Sequence, residues 1–150
     1  MRKLILLFIL GIQLPVMAQE VDCDVRQVFK QMPDSLTPYL SQNNRLDLID
    51  FMDAKMRAVV SNLLGGDTEM TYLSKDSLHI KMSEAYSISI KLEKADTSMV
   101  VRLDRTYITK KHQTEVLTSL YTPLWCPVSG TSVQSSLLKR DEEVFKKPYF

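Results

Sequence analysis

From residue 77 the apolar residues recur with a period of two. Leu78, Ile80 and Met82 interleave with Ser77, His79 and Lys81, and Tyr86, Ile88, Ile90 and Leu92 interleave with Ser87, Ser89, Lys91 and Glu93. Successive side chains of a strand point to opposite faces, so this pattern sets one face on a core and the other in water. TEMTYL before it, and SMVVRLDRTYI and TEVLTSLYT after it, carry weaker versions of the same signal. The connections SKD, SE, KADT and TKKHQ are too short to hold crossover helices. Consecutive strands should therefore run antiparallel, as a meander of about five strands.

The N-terminal third reads as helix. In VDCDVRQVFKQM, Val25, Val28, Phe29 and Met32 stand at helical spacing, with Asp22 or Asp24 as the cap and Pro33 as the stop. PDSLTPYLSQNN is a connection. A second helix is expected over 44–64, ending at Gly65-Gly66 as a left-handed C-cap. At 100° per residue, Leu48, Val59, Met52, Leu63, Met56, Ile49 and Val60 fill an arc of about 120°, leaving the aspartates and Arg57 outside it. The predicted architecture is α+β, with N-terminal helices packed on one face of a roughly five-stranded antiparallel meander sheet. The domain should occupy 19–127, and 128–150 should form a linker and a peripheral helix or tail.

The first residues, MRKLILLFILGIQLPVMAQE, have the form of a secretory signal peptide over 1–18. Arg2 and Lys3 precede an apolar run that ends in small residues, and cleavage is expected after Ala18. The run falls short of the roughly 20 apolar residues of a spanning helix, so no integral membrane span is expected after processing. Export to the periplasm or the extracellular space follows. Losing two positive charges takes the formal net charge from +1 to −1. No field of one sign is left to attract nucleic acid.

Cys23 and Cys126 are the two cysteines. In an oxidising compartment they either bridge or remain separate structural thiols. A bridge closing so long a loop would contribute up to about 4–5 kcal/mol in the chain-entropy account.

Asp47, Asp50 and Asp53 recur every three residues, an array that invites a metal or acid–base reading. On a helical wheel they span about 120° and fan outward, whereas a hard cation needs oxygens that converge. They read as a solvated helix face that Arg57 can neutralise. His79 and His112 lie in no nucleophile or zinc motif, and Gly65-Gly66 ends a helix where a phosphate loop would begin one. Neither a catalytic constellation, a metal site nor a cofactor handle is legible.

The aromatics are the remaining signal. Phe51 falls on the polar side of the second helix, where an exposed ring asks for a cover such as Tyr39 and Leu40, or for a partner. Tyr121-Thr122-Pro123-Leu124-Trp125-Cys126-Pro127 leaves the sheet at its prolines, so that its rings either cap the core or form a binding rim. Tyr39, Phe51, Tyr121 and Trp125 are therefore the candidate protein-binding residues.

Met32-Pro33-Asp34-Ser35-Leu36, Pro38-Tyr39-Leu40, Asn43-Asn44-Arg45-Leu46-Asp47, Ile49-Asp50-Phe51 and Tyr121-Thr122-Pro123-Leu124-Trp125 together resemble an uncharacterised family. Its members are small exported proteins of anaerobic Gram-negative bacteria that carry a domain of unknown function. The resemblance covers roughly residues 25–127; it implies export and supplies no activity. The expected function is a non-enzymatic binding module of the cell envelope whose partner is an envelope or extracellular protein. A small hydrolase or transferase with a site assembled only in three dimensions, and a secreted protein inhibitor, are the alternatives.

Overall fold

A computed structural model describes residues 23–95, 98–109 and 113–128, with the backbone of Gln134–Ser136. The expected signal peptide, His112 and most of the C-terminal segment lie outside the described residues. Helices α1 (Val25–Lys30) and α2 (Gln42–Asp53) flank a single turn of 3₁₀ helix, Asp34–Leu36. Seven strands follow: β1 (Ala58–Ser61), β2 (Asp67–Leu73), β3 (Ser77–Ser83), β4 (Tyr86–Ala95), β5 (Ser98–Ile108), β6 (Thr114–Tyr121) and β7 (Gln134–Ser136). They form one sheet in sequence order, and every neighbouring pair is antiparallel. The α+β class and the meander stand; the strands number seven because β1 and β7 arise where helix and tail were expected.

Each of the two α-helices begins on a side-chain cap. The Asp24 carboxylate accepts from the Arg26 N–H at 2.8 Å, and the Ser41 hydroxyl accepts from the Asn44 N–H at 3.2 Å. Helix α2 ends eleven residues before the expected stop at 64. Lys55 adopts φ 57°, the Met56 N–H donates to the Phe51 carbonyl at 2.8 Å, and the Lys55 N–H donates to that of Met52 at 3.0 Å. This is a Schellman cap with lysine where glycine usually stands. Beyond it, the β-branched pair Val59-Val60 enters the sheet, with Val60 buried and Val59 half-buried. Met56 and Leu63, both on the expected helical arc, are 58% and 72% exposed. Gly65-Gly66 is not a helix cap either: Gly65, at φ 79°, turns the β1–β2 hairpin. Asn62 organises that turn, its Oδ1 accepting from the N–H groups of Leu64 and Gly66.

The core lies between the helices and one sheet face. Val25, Val28 and Phe29 of α1 and Leu48 and Ile49 of α2 meet Met70, Leu78, Ile80, Ile88, Ile90, Val101 and Leu103. The strand contributions are the apolar half of each alternation. The far face carries polar groups paired with one another: Thr71 Oγ1 lies 2.7 Å from His79 Nδ1, and Asp104 accepts from Arg102 and Thr118. Burial lowers the His79 pKa, favouring the neutral ring. Among the described residues no helix is long and apolar enough to cross a membrane.

Arg45 holds the connection between the helices. Its side chain is 2% exposed. The guanidinium donates to the Met32 carbonyl at 2.9 Å, the Leu40 carbonyl at 2.9 Å and the Thr37 hydroxyl at 3.2 Å, and it pairs with Asp34 at 2.9 Å. One cation thereby satisfies groups spread along residues 32–40, a stretch whose own backbone bonds are limited to short turns. A fork of five donors suits that task better than a point charge.

Candidate functional site

The core-facing side of the sheet extends beyond the layer that covers it. In the β4–β5 register Leu92 faces Val101, Ile90 faces Leu103, Ile88 faces Arg105 and Tyr86 faces Tyr107. The first of these pairs are buried, whereas Arg105, Tyr86 and Tyr107 are half-exposed. An arginine and two tyrosines thus stand in line with the core where the helices no longer reach. The two rings stack with centroids 4.8 Å apart and planes at 10°.

Two other segments wall this end of the sheet into a cleft of about 470 Å³. Leu36, Pro38 and Tyr39 come from the connection that Arg45 holds; Leu64 comes from the β1–β2 turn, and Met82 from the end of β3. The Leu63 N–H donates to the Tyr39 carbonyl at 3.0 Å and ties the first two walls together. This volume lies within the usual range of small-ligand sites.

The polar groups around the cleft divide into two sets. Asn62 is committed to structure: besides its turn contacts, Nδ2 donates to Thr68 Oγ1 and the Met82 carbonyl. The Ser83 hydroxyl accepts from the Ala85 N–H. Arg105 is different, since among the described residues no carboxylate pairs with it; its neutral partners are Ser119 Oγ, at a long 3.5 Å, and the Tyr86 hydroxyl. Glu115 faces Tyr107 across β5–β6 but is exposed and forms no ion pair with Arg105. Burial, helped by neighbouring Tyr107, pushes the Tyr86 phenol up to about 12, against the opposing pull of Arg105. At neutral pH that hydroxyl is uncharged, and it interacts with both Tyr107 and Arg105.

The four aromatics singled out from sequence do not form one surface. Tyr39, 41% exposed, lines the cleft. Phe51 is half-buried and packs against the core. Trp125 is buried, and its indole N–H donates to the Val28 carbonyl at 2.8 Å, so it fastens α1 to the end of β6. Tyr121 lies beside it, with ring centroids 5.4 Å apart. Tyr121 faces Val101, six residues along β5 from Tyr107 and about 20 Å away at the rise of an antiparallel strand. Cys23 is half-buried and Cys126 exposed, and the structure draws no disulfide between them.

Asp47, Asp50 and Asp53 are all exposed. Asp53 binds Arg26 at 2.9 Å, not Arg57, which lies beyond the helix end and pairs with Glu69 at 3.0 Å. Among the described residues no group of three or more His, Cys, Asp or Glu is placed to hold a metal ion. The sequence reading missed Arg105 and Tyr107 and treated Tyr86 as ordinary core. One signal was available: Val101, Leu103, Arg105 and Tyr107 share a strand parity, and a cation on an apolar parity needs a reason.

Helices on one face of an antiparallel meander, with a cleft at the uncovered end of that face, define the class of this domain. The chain belongs to the family described as "Protein of unknown function (DUF3256)", whose model matches residues 14–143. A solved structure similar in fold is a domain of an uncharacterized protein from Porphyromonas gingivalis W83. It shares 19% sequence identity at a TM-score of 0.59, and the match covers 71% of this chain and 54% of that one. No curated protein matches the chain.

Proposed function

We propose that the protein is an exported, non-catalytic binding module of the cell envelope and that the cleft between Tyr39, Leu64, Tyr86, Arg105 and Tyr107 is its binding site. The observation that carries this reading is Arg105, a guanidinium on the core-facing parity of β5 that no described carboxylate neutralises. Concave shape, apolar walls and a small number of placed polar groups are the usual attributes of a ligand site. The far sheet face supports the choice, because its charged groups are largely paired among themselves. The described residues lining the cleft include no carboxylate, histidine or cysteine to act as a base near neutral pH, which favours binding over hydrolysis or group transfer. The leader-like N-terminus supports export.

A ligand-observed fragment screen on the wild type and on Leu64→Asp tests the binding half. Leu64 is 70% exposed, so the substitution leaves the fold intact while placing a charge on the rim. Hits that vanish in the variant at an unchanged melting temperature support the reading; hits that persist unchanged sink it. Fractionation with mass analysis of the N-terminus tests export, which predicts a periplasmic or released form beginning at Gln19.

A further inference from the structure

The cleft's chemistry is lopsided, and that narrows what it can hold. Its walls are the apolar side chains of Leu36, Pro38, Leu64 and Met82 and the faces of Tyr39, Tyr86 and Tyr107. The amide of Asn62 and the hydroxyl of Ser83 already serve their own turns, and exposed Ser35 adds one further hydroxyl to the lining. A polyhydroxylated ligand would therefore lose more hydrogen bonds to water than it regained along these walls. The one charged group among the described lining residues is the Arg105 guanidinium, which stands beside the stacked pair Tyr86 and Tyr107. A guanidinium offers five donors in a planar fork, which matches the two oxygens of a carboxylate.

Resting on the cleft being the binding site, we infer that its ligand is a small organic carboxylate with a flat, apolar body, its acid group on Arg105 and its body against the tyrosines. The guanidinium sets the sign of the head group. The walls set the apolarity of the remainder. Tyr86 stays protonated well beyond neutral pH, so the phenol beside the cation brings no competing negative charge.

The test is an amide-resolved NMR titration of the purified protein with three probes: 4-phenylbutyrate, the neutral alcohol 4-phenylbutanol, and inorganic phosphate. The expected result is saturable shifts around Tyr39, Leu64, Tyr86, Arg105 and Tyr107 with 4-phenylbutyrate, at least tenfold weaker binding of the alcohol, and weaker binding of phosphate. Arg105→Gln should bring the acid down to the affinity of the alcohol. Arg105→Lys, which keeps the charge without the fork, should fall between and serves if the glutamine variant does not fold. Equal affinity for acid and alcohol, or an Arg105→Gln variant that binds the acid normally, would overturn the carboxylate while leaving the cleft as the site. Phosphate binding as tightly as the acid would overturn the apolar body. Absence of cleft shifts with every probe would overturn this ligand class and count against the cleft itself.

Discussion

Replacing Arg45 with methionine removes the side chain that holds the cleft's outer wall, and the structure gives the size of the effect. Three hydrogen bonds to buried or partly buried groups are lost, from the carbonyls of Met32 and Leu40 and the hydroxyl of Thr37. Bonds to a charged donor contribute about 1.5–3 kcal/mol each, and relief from burying a cation returns part of that. One nitrogen, Nε, is buried without a hydrogen-bond partner among the described residues, so some burial cost is uncompensated already. The expected net loss is about 3–5 kcal/mol, a large fraction of a small domain's stability. The ion pair with Asp34 is a minor share, because that carboxylate is 74% exposed and such a pair contributes at most about 1 kcal/mol. Urea unfolding followed by the fluorescence of Trp125, the single tryptophan, measures both variants. A cost for Arg45→Met below about 1 kcal/mol, or a cost for Asp34→Ala equal to it, would refute the assignment of Arg45 as the wall's anchor.

Lys55→Gly should stabilise the protein by up to about 1 kcal/mol, because glycine takes the left-handed cap at φ 57° without the Cβ penalty; a loss in the same urea assay would contradict the Schellman assignment. Tyr86 has a pKa raised from 10.0 to about 12. Its contribution to stability is complete below the unfolded value and is lost as pH rises through about 12, so Tyr86→Phe should flatten the alkaline fall in stability between those limits. Alkylation in denaturant without reductant should add two adducts, one each at Cys23 and Cys126; no adduct would show a bridge instead.

Strands β3 and β4 were legible because their alternation is unbroken, and α1 because Val25, Val28 and Phe29 fall between an aspartate cap and Pro33. The end of α2 was not. Met56, Val59, Val60 and Leu63 continue its helical arc by coincidence of spacing, and the lysine at the left-handed cap gives no warning of the kind glycine gives. Phe51 looked anomalous because it falls outside the arc, yet it is half-buried against the core. Once the helix stops at Asp53, Arg45, Leu48, Ile49 and Met52 define the inward arc. Phe51 then lies on its flank, about 60° from Leu48 at helical spacing. The cleft depends on which end of the sheet the 33–40 connection covers. That is decided by buried contacts of Arg45, a charged residue to which the sequence pattern assigns no burial.

The most direct test of the account is a map of backbone amide shifts as a fragment that binds the protein is titrated in. The account predicts that the largest shifts cluster at Tyr39, Leu64, Tyr86, Arg105 and Tyr107. Shifts concentrated instead at Phe51, at Tyr121 and Trp125, or on the polar sheet face around His79 and Asp104 would contradict it.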